Sequence, residues 1–200
     1  MSNEDYHDTM SWADNVSALI HRSQCRLTDL HIFLPCTPGK EHAYTKLLAL
    51  LAPTLVVLGL TPSRYSPDTD KLIRSLTRTK SSPGSLPHLE HLQLSPRYTH
   101  DEDPLRVDLL VDTIATTLMS LRDGDLAEQW HAPLLARVSV ISRDDALIAK
   151  LRTSCLDFLL SQGLEVVYAR DRGDGSDTLG AGWHGTWSDR FESNRETIVY

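Results

Sequence analysis

The chain lacks most of the features that assign a protein to a functional class. Its 200 residues hold three cysteines, Cys25, Cys36 and Cys155, too few for a dense disulfide framework, and their spacing is not that of a zinc site. No run approaches the roughly 18 apolar residues that a membrane span needs. The opening Met1-Ser2-Asn3-Glu4-Asp5 is acidic and has no apolar signal centre. No Lys/Arg-rich run exists and the formal net charge is -7, which weighs against a nucleic-acid partner, because that binding needs cations to release the phosphate counterions. Also missing are a Gly-x-Ser-x-Gly elbow, a Gly-Lys-Ser phosphate loop, His-Glu-x-x-His and a dinucleotide fingerprint. These absences predict an intracellular protein of cytoplasm or nucleus that is not an enzyme and has no cofactor, no nucleic-acid partner and no membrane association.

Fragments of site chemistry are present but incomplete. Gly173-Asp174-Gly175-Ser176-Asp177-Thr178-Leu179 resembles a single turn of a calcium-binding nonapeptide repeat. Calcium takes six to eight oxygens, which tandem copies supply jointly, and here there is one copy. His88 and His91 flank Glu90, and exposed histidines of a strand are ordinarily just solvated, so no metal site is expected. Cys155 falls on an amphipathic pattern and reads as core filler. The acidic residues Asp101-Glu102-Asp103, Asp123, Asp125 and Asp171 to Asp177 read as solvated loops.

What the chain does have is leucine at fixed spacing. Leu86-Pro87-His88-Leu89-Glu90-His91-Leu92-Gln93-Leu94 spells L-x-x-L-x-x-L-x-L, the strand half of a leucine-rich repeat. Weaker copies occur at Leu27 to Ile32, Leu55 to Leu60, Leu135 to Val140 and Leu164 to Tyr168. Between them lie helical patterns. Val16, Leu19 and Ile20 share one stripe with Trp12, and Leu47, Leu48 and Leu51 share another. Ser66-Pro67-Asp68 starts a helix predicted to reach about Thr79 and to bury Leu72, Ile73 and Leu76. A long helix carries Val107, Leu110, Val111, Ile114 and Leu118. A last one starts at Asp144 or Asp145, carries Leu147, Ile148, Leu151, Phe158 and Leu159, and closes at Gly163.

Aligned on Leu30, Leu58, Leu92, Val138 and Leu164, the strands lie 28, 34, 46 and 26 residues apart. Repeats of this class run to about 20–29 residues, so two intervals need insertions. Four of the five strands place polar residues at alternate positions, which predicts one covered face and one open face. The expected fold is therefore α/β: a short leucine-rich-repeat-like solenoid arc, with parallel strands inside and helices on the convex face. It would fill residues 1–169 with about five helix-strand units. Residues 170–200 would form a polar, Gly/Asp-rich tail, whose Trp183, Trp187 and Phe191 at i, i+4, i+8 offer a C-terminal cap. The rival is a doubly wound sheet bearing a small enzyme, with its site at the strand ends near Pro35, Pro62, Pro96 and Ser142.

The junction Leu19-Ile20-His21-Arg22-Ser23-Gln24-Cys25-Arg26-Leu27-Thr28-Asp29-Leu30 resembles the helix-to-repeat junction of fungal F-box/leucine-rich-repeat proteins. Ala52 to Leu60, Leu86 to Leu94 and Gly163 to Val166 are similar to their later repeats. The resemblance implies an interaction protein whose repeats recruit substrate to a cullin ubiquitin ligase through the ligase adaptor. Residues 1–25 show no Leu-Pro-x-Glu opening of an F-box, so adaptor docking is expected only from a chain that carries that module as well.

If Leu30, Leu92 and their equivalents face the helices, the residues between them make the binding surface for an unidentified protein partner. Those candidates are Asp29, His31, Phe33, His91, Gln93, Arg137, Ser139 and Glu165, joined by Val57, Gly59, Thr61, Ser95, Ile141 and Val167. Phe33 and Arg137 are the expected anchors, because aromatics and arginine dominate interface energetics.

Overall fold

The computed structural model describes residues 8–34, 41–62, 67–96, 104–142, 144–170 and 198–199. Helix α1 (Asp8–Ser23) leads to strand β1 (Asp29–Leu34), α2 (Glu41–Leu51) to β2 (Val57–Pro62), and α3 (Pro67–Ser75) to β3 (His91–Leu94). Then follow α4 (Pro104–Arg122), α5 (Gly124–Trp130) and β4 (Arg137–Ser142). Helix α6 (Asp145–Leu151) continues through a π-helical turn, Arg152–Leu156, into α7 (Asp157–Ser161) and β5 (Glu165–Arg170). The first five strands are parallel and lie in sequence order. The pair β6 (Ile198–Val199) is antiparallel to β5. The chain is thus an α/β fold on a five-strand parallel sheet. The tail between 171 and 197, with the proposed aromatic cap and the single calcium-like turn, lies outside the described residues, as do Cys36, the acidic run 101–103 and the Trp12 side chain.

The leucine spacing sets the faces. Leu30, Leu58, Leu92 and Val138 stand in register across four strands and are all buried, as are Ile32, Leu60, Leu94 and Val140 one step along. The fifth member of the row is Val166, not Leu164, so the last interval is 28 residues rather than 26. A repeated backbone pattern explains the slip. In the second, third and fourth repeats two successive N–H groups share one carbonyl of the preceding repeat: Val56 and Val57 donate to Thr28, Glu90 and His91 to Val56, Ala136 and Arg137 to Glu90. In the fifth, Leu164 donates instead to Leu159, closing α7 around Gly163 at φ +78°, and only Glu165 reaches Ala136. Leu164 is buried as a turn residue, so hydrophobicity alone cannot tell it from a strand residue.

The helices cover one face with aliphatic side chains. Leu47, Leu48 and Leu51 of α2, Leu72 and Ile73 of α3, and Leu110, Ile114 and Leu118 of α4 are buried as their spacing requires, and Leu76 follows just after α3. Each of α1 to α4 touches the next in sequence. Val16 and Ile20 pack against the core, but Leu19 is exposed; it stands beside Ile20 at the outer margin of the stripe. Helix α3 stops at Ser75 rather than near Thr79. There Leu76 donates to Ile73 and Thr77 to Arg74, bonds that tighten the last turn, and the chain turns Arg78 inward.

The two long intervals hold their insertions where they can brace each other. The stretch after α3 makes a turn bridged between Thr79 and Ser82. Helix α5 is a second insertion, and sequence patterning misses it. Asp123 accepts from the Leu126 N–H as its N-cap and Asp125 lies in its first turn, so these acids start a helix rather than decorate a loop. From α5, Gln129 Nε2 donates to the Lys80 carbonyl at 2.7 Å and Trp130 Nε1 to that of Thr79 at 2.8 Å.

The last helical stretch shows why the π turn is needed. Leu147, Leu151, Cys155 and Leu159 are all buried, a strict spacing of four that would rotate off one face of a 3.6-residue helix. The wider turn at Arg152–Leu156 absorbs that drift and keeps Cys155 and Leu159 on the core side. The same rotation leaves Phe158 exposed, against its expected place in the apolar stripe. Burial pushes the Cys155 thiol up to about 12, which keeps it protonated and unreactive.

Two arginines stitch neighbouring units together. Arg78 is 1% exposed. Its Nη1 donates to the Leu121 carbonyl at 3.2 Å and its Nη2 to that of Pro87 at 3.1 Å, while its backbone N–H donates to Ser120 Oγ. Arg122 repeats the arrangement one unit later, donating through Nη1 to Leu135 at 3.0 Å and through Nη2 to Gln162. Each guanidinium thus joins the turn before its own strand to the end of the next helix. Burial pulls the Arg78 guanidinium below the usual arginine value.

The candidate interaction face

The strand residues that point away from the buried rows form a surface across the sheet. Its first row reads Asp29, Val57, His91, Arg137, Glu165, and its second His31, Gly59, Gln93, Ser139, Val167, each in register with the next. All eight residues singled out from the sequence fall on this surface: Asp29, Phe33 and Arg137 are exposed, and His31, His91, Gln93, Ser139 and Glu165 are partly buried. Ile141 breaks the alternation. Its position in β4 puts it on the open side, yet it is 6% exposed, so it adds no accessible surface.

Two polar pairs mark opposite ends. On β4 and β5, Arg137 Nη2 donates to Glu165 Oε1 at 2.6 Å. That hydrogen bond holds the Glu165 carboxyl below the usual carboxylate range, with desolvation opposing it and the charges of Arg137 and His91 adding to it. On β1, His31 Nε2 lies 3.2 Å from Asp29 Oδ1. The imidazole rests over Gly59 of β2: a Cβ built there would come within 2.0 Å of His31 Nδ1. Any larger residue at 59 would lift the ring, which gives a glycine inside an apolar strand its purpose. Gly59 belongs to the surface anticipated from the sequence, but its role as a seat shows only in the register. Phe33, one step beyond His31 on the same face, is 54% exposed.

Other candidate chemistry does not assemble. His88 and Glu90 precede β3 rather than alternate within it with His91, and among the described residues no group of three His, Cys, Asp or Glu could hold a metal ion. Pro62, Pro96 and Ser142, the strand-end positions of the enzyme alternative, are buried, and Pro35 lies outside the described residues. Cys25 is exposed and not in a disulfide. Among the described residues no helix is long and apolar enough to cross a membrane. No protein-family model, no curated protein and no solved structure matches this chain.

Proposed function

We propose that the protein is a non-enzymatic protein–protein interaction module: a short leucine-rich-repeat-like arc that meets its partner with the open face of the sheet. The observation that carries this reading is the strand order. Five parallel strands run in sequence, and buried and accessible residues alternate along β1 and β3, with Gly59 of β2 and Ile141 of β4 the buried positions on the open side, so successive units extend a single surface. Helices need more room than strands spaced about 4.7–4.9 Å apart, and a single helix layer curves such a sheet with its strands inside. An open sheet built as an enzyme places its site where strand order reverses, and β1 to β5 contain no reversal.

The resemblance to fungal F-box/leucine-rich-repeat proteins supports a finer version of the same reading. In it the surface recruits substrate, and the cullin ligase adaptor is met by an F-box outside the segments that resemble repeats. The test is to capture partners on the tagged protein, cross-link each complex and map the footprint by mass spectrometry. Footprints over His31, His91 and Arg137, weakened by Arg137→Ala, are the expected result. A footprint confined to the helices that spares those three residues overturns it.

A further inference from the structure

We infer that two copies of this chain pair through β1, edge to edge and antiparallel, so that one sheet runs through both and their open faces join. The two edges of the sheet are finished differently. At the far edge the chain's own β6 pairs with β5. At the near edge β1 pairs with β2 alone among the described strands. The register shows which backbone groups this leaves outward. Val56 and Val57 both donate to the Thr28 carbonyl, which therefore faces β2, and successive residues of a strand turn their N–H and C=O groups to alternate sides. Those of Asp29 and Phe33 thus point away from β2, toward the position that a further strand would take. Strand β1 has no proline, lysine or bulge to blunt that edge.

The end of the core behind β1 is also incompletely covered. Leu30 is 8% exposed, whereas Leu58, Leu92 and Val138 of the same row are at most 2% exposed. Val16 and Ile20 of α1 are partly buried, where Leu47 and Leu48 of α2 are wholly so. Of the two flanks beside the Val16–Ile20 stripe, that of Ser17 is half-buried and that of Leu19 is exposed, so Leu19 lies on the flank away from α2. A second copy fits this edge because the unit is complementary to itself. A two-fold axis normal to the sheet beside His31 sets Asp29 of each copy opposite Phe33 of the other, so no like charges face each other along the strands. The same axis runs the two α1 helices antiparallel. Asp8 and Asp14 fall in the first half of α1, and His21 and Arg22 in its last turn, so the acidic half of one helix passes the basic end of the other. Because β6 closes the far edge, pairing stops at two.

The experiment is sedimentation velocity of the full chain over a wide concentration range, and the expected result is a monomer–dimer equilibrium. Phe33→Asp, which sets a carboxylate opposite Asp29 of the other copy at two symmetric places, should weaken dimerisation about tenfold, and adding Asp29→Lys should restore it. Phe33→Pro, which removes an outward N–H and leaves the bonds to β2 in place, should abolish it. Leu19→Asp should weaken it. Leu109→Asp, at an exposed apolar position of α4, should leave it unchanged. Circular dichroism and thermal melts confirm that each variant is folded. A monomer at every concentration would overturn the inference, as would growth beyond the dimer. So would a Phe33→Asp loss that Asp29→Lys does not restore, or a loss in Leu109→Asp equal to that in Phe33→Asp.

Discussion

The covered and open faces of the sheet are made by alternate residues of the same strands, and they spend those residues differently. The covered face is almost wholly aliphatic: Leu58, Leu92 and Val138 are at most 2% exposed, and side chains of this kind each contribute about 1.5–3 kcal/mol by leaving water. The open face carries glycine, histidine, glutamine and an ion pair whose members keep 45% and 43% of their side-chain surface. Exposed pairs of that kind are worth about 0–1 kcal/mol. Stability therefore rests on one face, and the other contributes little to it. The same division separates the arginines, since buried Arg78 holds carbonyls together whereas exposed Arg137 pairs with Glu165 at the surface.

Substitutions that cross this division should fall in a definite order. Leu92→Ala should cost the most, about 2–5 kcal/mol in urea or guanidinium denaturation, because it removes buried volume that neighbouring leucines cannot refill. Arg78→Met should follow at about 2–4 kcal/mol, since the buried Leu121 carbonyl loses a donor at about 1–3 kcal/mol and the part-buried Pro87 carbonyl, which water can reach, loses one at about 1 kcal/mol. A loss below about 0.5 kcal/mol would mean that water replaces the guanidinium and that Arg78 does not tie the units together.

The open face should respond weakly and with a pH signature. Arg137→Ala should cost under about 1 kcal/mol at neutral pH. The folded carboxyl of Glu165 is depressed by Arg137, so its contribution is present above the unfolded carboxylate value and is lost as pH falls through the lower folded value. The gap between wild type and Arg137→Ala should therefore shrink on acidification; a gap that widens toward acid pH would contradict the pairing. Gln93→Ala should be smallest, within about 0.5 kcal/mol. Equal midpoint shifts for Gln93→Ala and Leu92→Ala would erase the distinction between the faces.

Much of this division was legible in advance, for a reason local to each strand. Side chains alternate sides with period two, so Leu92 and Leu94 declare one face and His91 and Gln93 the other without reference to distant residues. Asp144 as a helix cap and Gly163 as a helix stop are likewise decided within a few residues, and both stand where expected. The same local reasoning misplaces Leu164, because a buried turn leucine and a buried strand leucine look alike until hydrogen bonds to Leu159 and Ala136 separate them. Helix α5 is not legible in the sequence because its seven residues bury little, Ala127 alone being buried, and so leave no apolar stripe.

By itself, then, the sequence determined the order of units, the inward residues of the first four strands and the polar character of the face opposite. Tertiary structure alone decided where Arg78 and Arg122 send their donors, since their carbonyl partners Leu121 and Gln162 lie 43 and 40 residues away. It also decided that Ile141 is covered and that Gly59 carries His31. Each of these depends on which atoms neighbouring units bring to the same place, and residue spacing along a single strand or helix holds no record of that.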